Sequence, residues 1–221
     1  MEMVIDARFV EYVTSLVVRE IGQMGYKIDA LGPKRVPVGI SARHVHLQTD
    51  HLYTLFGNGY RLTPMIELSQ PGQFAAQEIV TLAGPKGKIE RVRILGPERV
   101  QTQVEVSASD ARTLGVTPIV RNSGDIEGTP GLTIIGPKGS VDIQKGVIVA
   151  ERHIHMSFQQ SEYFGVRDGD RVKVMIPGPK GGIMDNIVVR VSQNYQLDLH
   201  IDTDEANAFL LKQGDLLELV K

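Results

Sequence analysis

The feature that most constrains this chain is a repeated histidine motif. Arg43-His44-Val45-His46-Leu47 recurs as Arg152-His153-Ile154-His155-Met156 in a chain of 221 residues. After each copy come a Gly-Pro-Lys-Gly turn, a short apolar segment and an acidic residue followed by alanine. Aligned on these elements, Glu105 corresponds to His200. A duplication of this kind indicates two related domains that share one architecture.

Short segments rich in valine and isoleucine dominate the rest of the chain. Gly-Pro-Lys-Gly turns at 84–87, 136–139 and 178–181 separate several of them. Many short strands at such spacing indicate barrels or sandwiches and disfavour an α/β sheet. Short helices should follow each histidine pair, capped by Thr49 or Ser157 and ended by glycine. We therefore predict a mainly β fold: two β-barrel domains capped by short helices and related by internal duplication.

An N-terminal amphipathic helix is predicted over residues 6–24. Phe9, Val13, Leu16 and Ile21 recur at helical spacing, and a polar stretch with glycine and proline follows. One interpretation is a helix that packs on a barrel. The other is a detachable peptide that binds a partner, within a unit spanning residues 1–28.

Composition narrows the chemistry. The chain has no cysteine, which excludes disulfides, cysteine nucleophiles and thiolate metal ligands. A formal net charge of −2 gives no sign of a nucleic-acid or anionic-membrane partner. Neither a signal peptide nor an apolar run of about 18 residues is visible, so we expect a cytoplasmic protein.

The histidine pairs have the spacing of metal ligands. In a strand, residues i and i+2 point to the same face, about 6.6 Å apart along the chain. The duplicated third position adds one donor to each pair, which gives two sets: His44, His46 and Glu105, and His153, His155 and His200. Three ligands with an open fourth position are typical of catalytic zinc, although manganese or iron would also accept such donors.

Several further motifs indicate a resemblance to one known family. The chain resembles the PduL-type phosphotransacylases, also called phosphate propanoyltransferases, from about Val36 onward. The shared segments are 38–47 (Val-Gly-Ile-Ser-Ala-Arg-His-Val-His-Leu), 95–99 (Leu-Gly-Pro-Glu-Arg), 102–106 (Thr-Gln-Val-Glu-Val), 121–125 (Arg-Asn-Ser-Gly-Asp), 151–157 (Glu-Arg-His-Ile-His-Met-Ser) and 199–207 (Leu-His-Ile-Asp-Thr-Asp-Glu-Ala-Asn).

This resemblance implies a domain division and a set of site residues. One barrel would combine residues 29–42 and 151–221, and the other would span 43–150. Two zinc ions per chain would be held by the two histidine sets, and Arg99 matches the phosphate-contacting arginine. Positions that match the coenzyme A site are Ile40, Ser41, Ala42, Lys86, Arg93 and Asn207.

The implied reaction converts acyl-CoA, with propanoyl expected, plus phosphate into acyl phosphate plus coenzyme A. With no cysteine available, we expect direct attack by phosphate, without an acyl-enzyme. Family members of bacterial microcompartments carry an N-terminal targeting peptide, which implies shell proteins as partners and a location inside the shell. A homo-oligomer is also compatible. A dinuclear zinc hydrolase of thioesters or phosphoesters and a non-catalytic metal-stabilised scaffold remain alternatives, and acetyl remains an alternative to propanoyl.

Overall fold

The fold is known from a computed structural model, which describes residues 34–220 and four isolated positions before them: Val13, Leu16, Val17 and Glu20. Arg35–Lys221 forms one compact unit, and all the strands and helices named below belong to it. The predicted N-terminal helix and the stretch after it lie almost wholly outside the described residues, so both stay predictions.

The described residues contain many strands and a few short helices, which confirms the predicted mainly β class. The strands are β1 Arg35–Ser41, β2 His44–His46, β3 Pro64–Glu67, β4 Phe74–Ala83, β5 Lys88–Gly96, β6 Gln103–Glu105, β7 Val120–Arg121, β8 Leu132–Ile135, β9 Ser140–Ile143, β10 Val147–Ala150, β11 His153–Met156, β12 Arg171–Ile176, β13 Gly182–Val191, β14 Asp198–Asp202 and β15 Leu216–Val220. The helices are α1 Thr49–Phe56, α2 Ala108–Leu114, α3 Phe158–Phe164 and α4 Thr203–Phe209.

Six strands close into a barrel in the order β1-β14-β11-β13-β12-β15. The others form a half-barrel in the order β7-β10-β6-β2-β5-β4-β8-β9, with β3 paired to β4. The duplication is visible in the pairing, because β2 lies between β5 and β6 as β11 lies between β13 and β14. In both cases one neighbour is parallel and the other antiparallel.

The half-barrel stays open because one strand pair has no counterpart. In the closed barrel, β12 pairs with β15 and β14 pairs with β1. The ring closes because β1 and β15 also pair with each other. In the half-barrel, β4 pairs with β8 and β6 pairs with β10, so β8 and β10 occupy the places of β15 and β1. However, β8 then pairs with β9 and β10 with β7, so the two strands do not close the ring. The expectation of two barrels is thus met by one barrel and one half-barrel.

The strands of the closed barrel come from two parts of the chain. Strand β1 precedes the half-barrel strands β2–β10, and β11–β15 follow them. This order is compatible with the predicted domain division at 42/43 and 150/151, which stays a prediction. Alternating residues of each strand fill a core, as in β12, where Val172, Val174 and Ile176 are buried.

Helix ends follow the predicted pattern at α3 and depart from it at α1. Ser157 forms a capping box with Gln160, and Gly165 ends α3 in the left-handed conformation. The Thr49 cap is wrong, because Thr49 is already helical and the extended residue before it is Gln48, whose side chain makes no cap hydrogen bond. Within the described residues, none of the helices is long and apolar enough to span a bilayer.

Candidate metal centre

Strand pairing brings each predicted ligand set together. In the half-barrel, His44 pairs with Glu105 across β2 and β6. In the closed barrel, His153 pairs with His200 across β11 and β14. In each of the two sets (His44, His46 and Glu105; His153, His155 and His200) the potential ligand atoms lie within 4.8 Å of one another. These two trios stand at equivalent places in the duplicated sheets.

Hydrogen bonds turn the first trio towards a common point. His44 donates its Nδ1–H to Ala42 O at 2.9 Å, which leaves Nε2 free to bind a metal ion. Glu105 Oε1 accepts from Gln103 at 2.7 Å and from Ser123 at 2.8 Å. Its other oxygen, Oε2, faces His44 Nε2 at 3.5 Å. One imidazole nitrogen and one carboxylate oxygen are thus selected by their neighbours.

The second trio shows the same arrangement with imidazole alone. His153 donates its Nδ1–H to Glu151 O at 2.7 Å, as His44 does to Ala42. The ring centroids of His153 and His155 are 4.7 Å apart, and those of His155 and His200 are 4.9 Å apart. The ring of Tyr195 packs against His155 with centroids 4.2 Å apart.

Burial keeps most of these imidazoles neutral. It lowers the pKa of His46 to about 3 and that of His153 to about 4, and nearby positive charge adds to the effect. For His44, burial acts in the same direction, but the Glu105 carboxylate outweighs it and raises the pKa above its ordinary value. Burial would raise the pKa of Glu105, yet His44 and other donors hold it well below the ordinary range. The neutral His46 imidazole and the ionised Glu105 carboxylate offer lone pairs to a metal cation, and a bound cation would displace the proton that Glu105 favours on His44.

The residues present fit a metal ion. Buried polar atoms normally have hydrogen-bond partners, but His46 Nδ1 and both ring nitrogens of His155 are buried without one. Donors around a tetrahedral zinc ion stand about 3.4 Å apart, given ligand distances of ~2.1 Å. The 3.5 Å between His44 Nε2 and Glu105 Oε2 matches that spacing. Each trio can therefore hold one ion with a position left open.

Both trios open on a single cleft between the half-barrel and the closed barrel, with a volume of about 600 Å³. Its walls carry all six trio residues and four arginines: Arg43, Arg93, Arg99 and Arg190. Guanidinium groups match the geometry of phosphate oxygens and remain charged at neutral pH. The cleft is therefore suited to a ligand that bears phosphate.

Arg99 lies beside the first trio, linked to Glu105 through Ser123. It is half-buried, and burial lowers its pKa. Its guanidinium donates to Ser123 Oγ at 3.1 Å, and within residues 34–220 it forms no ion pair. A half-buried cation without a carboxylate partner favours binding of an external anion.

The cleft includes four of the six residues predicted for coenzyme A: Ile40, Ser41, Ala42 and Arg93. The other two are not among its lining residues. Lys86 lies at the turn between β4 and β5, where its side chain passes close to Gly115. Asn207 is exposed on α4. The coenzyme A roles of all six stay predictions.

Several residues at the site were missed by the sequence reasoning. The segment 121–125 is shared with the family but has no predicted role at the site, and its Ser123 connects Arg99 to Glu105. Tyr195 and Arg190 carry no motif and reach the cleft through the fold. One available signal was Arg43 and its counterpart Arg152 in the repeat. Both pair with the acidic capping residue of a helix, Asp110 at 3.1 Å and Glu205 at 2.9 Å.

The chain is similar to known proteins over most of its length. Residues 37–212 match a family model described as phosphate propanoyltransferase. The phosphate propanoyltransferase of Thermotoga maritima is 57% identical over 185 residues, which cover 83% of this chain and 88% of the relative. That of Rhodopseudomonas palustris is 46% identical over 218 residues, 96% of each chain. That of Rhodobacter capsulatus is 50% identical over 189 residues, 86% of this chain and 88% of the relative.

Proposed function

The chain belongs to the phosphate propanoyltransferase family, an acyltransferase family, and on that premise we propose that it interconverts acyl-CoA plus phosphate with acyl phosphate plus coenzyme A. Propanoyl is the acyl group named for its relatives. The proposal rests on one observation above all. Two trios of side chains that could hold a metal ion, and Arg99, which forms no ion pair within residues 34–220, face the same cleft.

His44, His46 and Glu105 would hold one zinc ion, and His153, His155 and His200 would hold the other. When bound, the ions supply Lewis acidity, which stabilises negative charge on a thioester oxygen and on a leaving sulfur. Duplicated hydrogen bonds from His44 and His153 to backbone carbonyls fix the ring orientations before any ion arrives. A site prepared in this way loses less free energy to reorganisation during the reaction.

Arg99 would bind the inorganic phosphate. Ser123 accepts from its guanidinium at 3.1 Å and so holds it beside Glu105, at the edge of the first trio. A phosphate oxygen then attacks the thioester carbonyl carbon, a C–O bond forms, the C–S bond breaks, and the electron pair leaves with sulfur as thiolate. Arg93 and Arg190 would add positive charge for the phosphates of coenzyme A, whereas the charge of Arg43 is paired with Asp110.

The tyrosine at the cleft gives a reason for transfer in preference to hydrolysis. Tyr195 covers His155 with its ring, and the segment around Gln70 lies beside it. In the proposed reaction, this cover would limit the approach of water to the thioester and so favour phosphate as the nucleophile. We also keep the predicted contacts of Ile40, Ser41, Ala42, Lys86, Arg93 and Asn207 with coenzyme A as part of this proposal.

The experiment that tests this function is thiol release from acetyl-, propanoyl- and butanoyl-CoA, with and without phosphate, before and after chelation. We expect release that requires phosphate, is fastest with propanoyl-CoA and stops when the metal is removed. Release that continues without phosphate would identify a hydrolase and overturn the proposal. Metal binding without release from any substrate would identify a scaffold and overturn it as well.

We further propose that residues 1–28 form a peptide that directs the enzyme into a microcompartment, and that 29–42 with 151–221 and 43–150 behave as two domains. The family resemblance supports both. Deletion of residues up to about Tyr26 should leave phosphate-dependent activity unchanged and abolish co-purification with shell proteins. Insoluble protein after this deletion would favour a helix that packs on the barrel.

A further inference from the structure

The residue two positions before each third ligand occupies an equivalent place in the two sheets. Gln103 precedes Glu105 on β6, and Asp198 precedes His200 on β14. Gln103 pairs across the sheet with His46, and Asp198 pairs with His155. Since i and i+2 share a face of a strand, each of the two points to the same side as its ligand.

The two residues match the polarity of the ligand beside them. Gln103 is a donor next to a carboxylate: its Nε2 donates to Glu105 Oε1 at 2.7 Å. Asp198 is an acceptor next to an imidazole: His200 Nε2–H donates to its Oδ2 at 3.0 Å. Both residues are buried, Gln103 to 2% and Asp198 to 4% relative exposure. Burial of a carboxylate loses hydration free energy, so the contact between Asp198 and His200 suggests a role for the carboxylate.

We propose that Gln103 and Asp198 are matched positioning residues, each of which selects the atom that its neighbouring third ligand presents to the metal. Gln103 occupies Glu105 Oε1 and leaves Oε2 for the ion. Asp198 occupies His200 Nε2 and leaves Nδ1, whereas His44 and His153 present Nε2. The inference deepens the proposed function and rests on its metal centre.

The strand beside Asp198 is adapted to this role. Gly39 on β1 pairs with His200, and a Cβ atom built on Gly39 would lie 2.7 Å from both carboxylate oxygens of Asp198. Glycine therefore leaves the space in which the carboxylate meets the imidazole. A larger residue would push the carboxylate off His200.

The arrangement also equalises charge between the two trios. The first has its carboxylate as a ligand, and the second has it one hydrogen bond behind a ligand. A carboxylate behind a histidine increases the basicity of the ring and fixes its tautomer, and loss of such a partner typically lowers metal affinity about 10–100-fold.

The experiment compares the full chain with Asp198→Ala, Asp198→Asn and, for the other trio, Gln103→Ala. Zinc affinity is measured by competition with a chromophoric chelator, and the protonated nitrogen of each histidine is identified by ¹⁵N–¹H correlation spectra of the zinc-loaded protein. We expect Asp198→Ala to weaken one zinc ion about 10–100-fold and to abolish the Nε2–H signature of His200. Asp198→Asn should restore most of both, because its amide oxygen still accepts the proton.

Gln103→Ala should weaken the other ion and leave the His200 signature unchanged. Unchanged zinc affinity in Asp198→Ala overturns the inference. So does weakened affinity with the His200 Nε2–H signature intact, which would assign Asp198 a purely structural role. Should the full chain itself bind no zinc, the proposed function fails, and this result is distinct from either of the two.

Discussion

Gln70 and Gln196 form two reciprocal hydrogen bonds that link the half-barrel to the closed barrel beside the cleft. Gln70 Nε2 donates to Gln196 O at 3.1 Å, and Gln70 Oε1 accepts from Gln196 N at 3.3 Å. The Gln70 side chain is buried, although it lies in the segment between β3 and β4. Gln196 follows Tyr195, the residue that covers His155. The pair thus connects the half-barrel to the tyrosine that borders the candidate metal centre in the closed barrel.

Replacement of Gln70 by alanine should loosen this connection. Each lost hydrogen bond contributes about 0.5–1.5 kcal/mol, so the segment around Tyr195 should exchange its amide hydrogens faster. We expect a higher KM for acyl-CoA with a smaller change in kcat. Gln73→Ala, which alters another glutamine of the cleft wall, is the control. Equal exchange rates in the two variants would show that the pair has no such role.

Arg99→Lys should raise the KM for phosphate by about tenfold or more. Lysine keeps the charge but lacks the planar fork that binds two phosphate oxygens and reaches Ser123. The KM for acyl-CoA should change much less. The matched control is Arg112→Lys on the exposed face of α2, which should leave both constants unchanged. A phosphate KM equal to that of the parent protein would contradict the role given to Arg99.

Removal of metal should abolish activity and lower the unfolding temperature. Ions that bind the folded state stabilise it by an amount that grows with the logarithm of their concentration relative to Kd. Without them, His46 Nδ1 and both ring nitrogens of His155 stay buried without partners. Added zinc should restore both properties. His51→Ala is the control, because His51 lies outside the trios and interacts with Thr102 at 2.8 Å. We expect two zinc equivalents in that control by elemental analysis, and one in His153→Ala.

Glu78 should make the fold sensitive to acid. Burial alone would raise its pKa, but hydrogen bonds from Thr63 and Tyr60 lower the pKa below the ordinary 4.5. A carboxyl group with a depressed folded pKa stabilises the fold above its unfolded pKa and loses that contribution as pH falls through the folded value. The urea midpoint of the parent should therefore drop more between pH 7 and pH 3 than that of Glu78→Gln. Parallel curves for the two proteins would refute this.

The sequence predicts the two trios well because the information is local and duplicated. In a strand, residues i and i+2 lie on the same face, and the repeat supplies the position of the third ligand twice. Closure of the sheets is different. Whether β8 meets β10 or forms a hairpin with β9 depends on pairing between distant segments, which alternation in the sequence leaves undetermined.

The supporting residues show the same limit. Asp198 and Gln103 share a strand face with His200 and Glu105, but alternation in the sequence leaves open which atoms of these side chains meet. Ser123 has no predicted role at the site, and its contact with Glu105 joins residues 18 positions apart, which no local pattern encodes. Lys86 illustrates the reverse case, since a matching position in sequence lies outside the cleft walls of this fold.

The seam between β1 and β15 has a consequence for synthesis on the ribosome. Arg35 pairs with Glu218 on β15, so the closed barrel cannot be completed until all fifteen described strands have been translated. The half-barrel, whose strands all lie between β1 and β11, has its full set of partners earlier. The nascent protein can therefore assemble its carboxylate-containing trio first. The all-histidine trio must wait for His200 to emerge on β14, so the two proposed metal positions would be completed in a fixed temporal order.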